Sequence, residues 1–390
     1  MITFILLMLQ AAASVPVTPA RTSTAPAAES TGKDVVVTGV SLASLKKAVD
    51  DCLKSHCPAM DDIARSQDYA NGQFASGDYA GSRETLRKAR HRNARYSSSI
   101  PVEVAGLHRA TGRITGLVGL PSSEQLLMID SVDALKAGLN KNDVRVMLAR
   151  LDVGDAYARD RRLDDAIERY DTVRKQAKRL SLRPIEGMAM LRKAALLSAV
   201  ADTQSIYAGR ARAAVNDIQQ TSDPDMAPFR NACQLIQVQL TRKASEREAA
   251  FDAAMARMEP VATTHPTLLY SPPIELAPSI EDLTARSDTP WADISFLVTA
   301  EGRVSDVQVV AKSSHLERQW LDPVIQATGQ RRYMPIAISG SMGLRQTVRY
   351  SFVGDLVQRS GSNLLFRSST PRVVSIDMTP DGTYRPLKDG

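Results

Sequence analysis

The chain has 390 residues, 43% hydrophobic and 24% charged, with 21 Gly and 20 Pro; this excludes a collagenous or wholly disordered protein and leaves room for two or three domains. Lys and Arg number 49 against 43 Asp and Glu, a net charge of +6 that is spread too evenly to serve as a nucleic-acid footprint. Aromatics make up only 5%, so burial must rest on Leu, Ala, Val and Met, which leans towards helix packing.

Residues 2–9 are almost continuously apolar, and Ala11-Ala12-Ala13 follows them with small-x-small spacing. That is the pattern of a signal peptide over residues 1–13, cut near Ala13, although no Lys or Arg precedes the run. The run is shorter than the roughly 20 residues that a bilayer span needs, and no Cys follows the cut to take a lipid. The expectation is an exported, soluble protein. Residues 14–41, rich in Pro, Ala, Ser and Thr at their start, form a flexible leader.

There are three cysteines. In an oxidising compartment Cys52 and Cys57 are the expected disulfide, because Pro58 ends any helix there and lets the chain turn so that the sulfurs meet. A metal site using Cys52, His56 and Cys57 would lack a second ligand cluster to complete a tetrahedron. Cys233 lies in an apolar helical stretch and reads as core.

Over residues 42–259 Pro is sparse and apolar residues recur at three and four, which predicts helices joined by short loops. Val153-Gly154-x-x-Tyr157 followed by Ala166-x-x-x-Tyr170, with Leu163 and Asp164 at the turn between, resembles the tetratricopeptide repeat, in which a small residue lets two antiparallel helices approach and aromatics fill the gap. Ala70, Phe74, Gly77-Asp78-Tyr79, Leu86 and Ala89 resemble a second copy, with Ser82 where Ala is usual. The packing residues are therefore Gly77, Tyr79, Gly154, Tyr157, Ala166 and Tyr170. Residues 191–218 and 231–258 supply further helix pairs without the signature. The resemblance implies an irregular α-solenoid whose concave face binds a peptide or protein segment, or else a spacer that binds nothing. His91 and His108 read as surface or capping residues.

Prolines cluster over residues 260–290, a linker. Beyond it, residues 291–355 read as a small β-β-α-β module. Ile294, Phe296 and Val298 alternate with polar residues, Glu301-Gly302 turns, and Val307 and Val309 resume the alternation, a hairpin. Asp322-Pro323 starts a helix. Leu344, Gln346, Val348, Tyr350 and Phe352 then share one face of a strand, with Arg345, Thr347, Arg349 and Ser351 on the other. In residues 356–390, Leu364-Leu365-Phe366 and Arg372-Val373-Val374-Ser375-Ile376 add a hairpin-like piece that could cover or extend the sheet edge. The fold class is α+β.

Ile294-Ser295-Phe296-Leu297-Val298, Glu301-Gly302-Arg303-Val304, Lys312-Ser313-Ser314, Arg332-Tyr333-x-Pro335 and Val348-x-Tyr350-x-Phe352 together resemble the C-terminal domain of TonB-family proteins. The resemblance implies a periplasmic module that takes an extended peptide of an outer-membrane receptor by strand addition, here along Leu344, Arg345, Thr347, Arg349 and Ser351. Thr289-Pro290-Trp291 stands where that family has a Tyr-Pro pair. Asp34-Val35-Val36-Val37-Thr38-Gly39 resembles the receptor segment that such modules bind in α-proteobacteria, although β-branched runs of this kind are common and it reads first as a short strand leading into the helical domain.

Zinc-protease, phosphate-loop, nucleophile-elbow and dinucleotide motifs are absent. Gly340-Ser341-Met342-Gly343 is a loop by composition, and His265 and His315 have no ligand-type neighbours. The sequence thus predicts no enzyme and no cofactor, but a periplasmic adaptor of the cell envelope that binds protein segments through helical face and sheet edge. The alternative is an energy transducer of the TonB type, whose apolar start stays in the inner membrane.

Overall fold

The computed structural model describes residues 40–241, 244–274, 276, 288–314, 316, 318–338, 343–358, 365–368 and 372–379. The expected signal peptide, almost all of the leader with its residue 34–39 segment, His315 and Gly340-Ser341-Met342 lie outside them.

Helices run in chain order as α1 Leu42–Lys54, α2 Ala59–Ala75, α3 Tyr79–Asn93, α4 Pro101–Leu117, α5 Pro121–Gly138, α6 Val144–Arg159, α7 Leu163–Arg179, α8 Arg183–Ala201, α9 Ala208–Gln219, α10 Ala227–Thr241 and α11 Ala244–Met255. Their starts follow local chemistry. Ser41, Asp78 and Asp143 accept first-turn N–H groups at 3.1, 2.7 and 2.9 Å, while Pro101, Pro121 and Pro184 sit where a missing N–H costs nothing. Short turns fold consecutive helices against each other, and α2 also touches α4, α6 touches α8, and α8 touches α10. The result is a stack of hairpins with one continuous core from Ile63 to Met258.

The C-terminal part is a four-stranded antiparallel sheet of order β3-β2-β5-β8, built from β2 Trp291–Val298, β3 Val304–Lys312, β5 Leu344–Val353 and β8 Arg372–Asp377. Gly302, at φ +76, makes the β2–β3 turn. The helix α12, Arg318–Gly329, packs Trp320, Leu321, Val324 and Ala327 in one core with Ala292, Ile294, Phe296, Val298, Tyr350 and Phe352 of the sheet. From the opposite face, Trp291, Val374 and Ile376 join the core of the helical stack. Stack, sheet and α12 form three layers, and the fold is α+β.

The structure departs from the sequence reading in four places. First, α12 begins at Arg318, ahead of Asp322-Pro323, because Trp320 and Leu321 are buried and bring the preceding turn with them. Second, the region read as a linker contains β1, Leu268–Tyr270, paired with β4, Arg332–Tyr333; buried Leu269 and Tyr270 explain why this stretch folds. Third, the C-terminal piece is not one hairpin. β7 Leu365–Arg367 pairs with β6 Leu356–Gln358, whereas β8 leaves to join the main sheet. Fourth, the turn between α6 and α7 lies at Asp160-Arg161-Arg162, with Arg161 at φ 62, and Leu163 already begins the second helix.

Candidate functional site

The β5 edge of the sheet is where a peptide was expected. β5 carries β2 on one side over Trp291–Val298 and β8 on the other, in register from Val348↔Asp377 to Val353↔Arg372. Thr347 extends the pairing, its N–H donating to Thr379 Oγ1 at 3.0 Å and its carbonyl accepting from Met378 N at 2.8 Å. The backbone groups that an incoming peptide would need are thus taken by the chain itself. The assignment of Leu344, Arg345, Thr347, Arg349 and Ser351 as an open peptide-binding edge is corrected: the β-branched run of β8 satisfies that edge.

Two of those residues do something else. Arg349 is 1% exposed and forks onto Asp293 at 2.6 and 2.7 Å. The same guanidinium donates to the carbonyls of Phe74 and, at 2.7 Å, Ala75, the last residues of α2. It lies 3.8 Å from the Trp291 ring centre and 4.9 Å from that of Phe74. Arg372 repeats the device at α4, donating to Gly116 O at 2.8 Å while paired with Asp355 at 3.0 Å. Carbonyls at a helix C-terminus are unsatisfied and carry the negative end of the dipole, so a guanidinium is the group they prefer. Ser351 meets Tyr79 Oη at 2.9 Å, and Thr289 donates to Leu117 O at 3.0 Å. At the far end Arg332 pairs with Glu248, and Arg303 with Asp252 at 2.8 Å, both on α11. The sheet is therefore fastened to the stack at α2 and α4, and the β2–β3 turn and Arg332, paired with Leu268–Tyr270, to α11.

The helical stack keeps a charged face of its own. Arg109 and Arg113 are one turn apart on α4, Asp152, Asp155 and Arg159 follow one another on α6, and Arg192 is on α8. Asp152 lies 3.7 Å from Arg109 and 3.6 Å from Arg192; Asp155 takes Arg192 at 2.7 Å and the Tyr170 hydroxyl at 2.7 Å; Glu124 of α5 takes Arg159 at 2.6 Å. Burial pushes the Asp155 carboxyl up, against the pull of Arg192. Desolvation holds Arg113 below the usual arginine value, with Asp152 opposing it. Arg113 is nonetheless open to solvent.

The repeat residues come together in part. A Cβ on Gly154 would lie 2.5 Å from Tyr170 Cε1, and Ala166, Tyr157 and Tyr170 are all buried. Gly77, at φ +88, faces the Trp291 indole, and Tyr79 packs edge-on to Phe74 with ring centres 5.1 Å apart, so this copy serves the junction with the sheet. Cys52 and Cys57 are joined, their Cα atoms 5.1 Å apart, with Cys57 N donating to Cys52 O. Cys233 is buried, its thiol pushed up to about 12 by desolvation. His91 is exposed, whereas His108 is partly buried with its Nδ1 3.6 Å from Asp130. Among the described residues no group of His, Cys, Asp and Glu could hold a metal ion.

Sequence reasoning missed the contacts of Arg349 and Arg372 with the helix ends and the solvent-open position of Arg113. The i, i+4 spacing of Arg109 and Arg113 and the i, i+3, i+7 spacing of Asp152, Asp155 and Arg159 were visible, and mark one face of each helix.

No protein-family model matches the chain, and no curated protein is significantly similar to it. Among solved structures it is similar to a crystal structure of nearly identical TPR-like repeats assigned to a kinesin light chain of Podosopora anserina, at 15% identity and TM-score 0.37, over 46% of this chain and 88% of that one.

Proposed function

We propose that the protein is an exported, periplasmic interaction adaptor, binding and not catalytic, that holds a segment of another envelope protein on the face formed by α4, α6 and α8. The observation that carries this reading is the contrast between two surfaces: β5 is paired on both sides, while the α4 face keeps the solvent-open Arg113. Export is supported by the apolar run before Ala11-Ala12-Ala13 and by the joined Cys52 and Cys57. The order β2, β3, α12, β5 supports the likeness to the TonB C-terminal module, with β8 seated where that family would take a receptor peptide. Among the described residues no helix is long and apolar enough to cross a membrane.

Site-specific photo-crosslinking in intact cells tests the reading. A benzoylphenylalanine in place of Arg109, half exposed on α4, is expected to capture a protein, whereas the same probe in place of Val310, 56% exposed on β3, is not. Capture at position 310 alone, or retention of the protein in the cytoplasm after osmotic shock, would contradict it.

A further inference from the structure

Counting charges on the α4, α6 and α8 face narrows what can bind there. Four guanidinium groups, Arg109, Arg113, Arg159 and Arg192, meet three carboxylates, Glu124, Asp152 and Asp155, and every carboxylate is already within 4 Å of one of the other three arginines. Arg113 makes no ion pair among the described residues and feels Asp152 and Glu124 only through longer-range attraction. Its donors are therefore open to solvent without a fixed anion. A second group is also short of a partner: the Arg192 Nε–H is buried with no acceptor, in a side chain only 10% exposed. A buried donor left without an acceptor is costly, and the solvent-open Arg113 is the group that an oxygen-bearing anion can reach. The surplus is one positive charge. Three fixed carboxylates close by disfavour a dianionic phosphoryl group and tolerate a monoanion.

We propose that Arg113 is the principal ligand of an aspartate or glutamate side chain from an acidic segment of the partner protein. This rests on the reading of the helical face as the binding surface and adds the chemical class of what it takes. A guanidinium and a carboxylate match in planar fork geometry, so Lys would replace Arg113 only in part.

The test uses the full chain and a fluorescein-labelled octapeptide alternating Glu and Ala, with a Gln-for-Glu peptide beside it, at about 50 mM salt so that screening is modest. The acidic peptide is expected to bind and the Gln peptide not. Arg113→Gln should weaken binding about tenfold, the scale of one lost charge-assisted hydrogen bond, Arg113→Lys less, and Arg318→Gln on α12, whose side chain is 91% exposed, not at all. Arg113 is at the surface, so its variants should melt with the parent. Equal binding of both peptides, or equal affinity of the Arg113→Gln and Arg318→Gln chains, would overturn the proposal. Inorganic phosphate held more tightly than the peptide would overturn it too, as a phosphate site. Failure of the peptide with retained crosslinking at position 109 would refute the acidic ligand and leave the helical face as the binding surface.

Discussion

At the scale of single residues, Arg349 holds the most. Removing its charge leaves Asp293, whose side chain is 13% exposed, and the end of α2 without their partner, and breaking a buried pair from one side typically costs about 3 to 5 kcal/mol. Arg349→Met should therefore lower the melting temperature strongly, while Arg345→Met, at a half-exposed pair with Asp306, should change it by about 1 kcal/mol or less; equal effects on thermal melts would contradict the assignment of Arg349 as the anchor. Asp62 offers a test in pH. Burial alone would raise its carboxyl, but hydrogen bonds from Arg92, Asn93 and Ser66 outweigh it and leave the group below its ordinary 3.8. A carboxyl depressed on folding stabilises the protein above its unfolded pKa, and the contribution is lost as pH falls through the folded one. Asp62→Asn should thus cost about 1 to 2 kcal/mol at neutral pH, a gap that closes as the solution is acidified below about pH 4. A gap independent of pH would show that the charge is not what matters.

At the scale of elements, close approach of α6 and α7 depends on Gly154 lying against Tyr170. Gly154→Leu inserts volume where none is free, at a cost of about 1 to 3 kcal/mol, and melting like the parent would remove the basis for reading these helices as a repeat unit. Strand alternation made β2, β3 and β5 legible in the sequence, since Ile294, Phe296 and Val298 or Val348, Tyr350 and Phe352 mark one face without outside information. The partner of β5 was legible only as one alternative, Arg372 to Ile376 covering or extending the sheet edge, and β8 extends it. Residues 34–39 and 372–376 are both β-branched, and which run fills an edge is decided by long-range packing, here Val373 in the α12 core and Arg372 on α4. Arg349 was misread for a related reason. In an alternating strand it looks solvent-facing, and its acceptors are the carbonyls of Phe74 and Ala75, which every residue has and no sequence pattern announces. Truncation before Arg372 should uncover β5 and make the chain self-associate, read by light scattering; a monomer melting like the parent would contradict the pairing.

At the scale of the molecule, Arg349 and Arg372 of the sheet on the ends of α2 and α4, with Arg303 and Arg332 on the acidic side chains of α11, make stack and sheet one body and leave the α4, α6 and α8 face as the surface with unspent charge. Both halves of that statement depend on β5 being closed in the intact chain. Amide hydrogen exchange of the full-length protein, read over residues 348–353, tests it most directly. Protection equal to that of the core helices is expected, lost when β8 is removed. Fast exchange over 348–353 in the intact chain, while α6 and α8 stay protected, would show an available edge and contradict it.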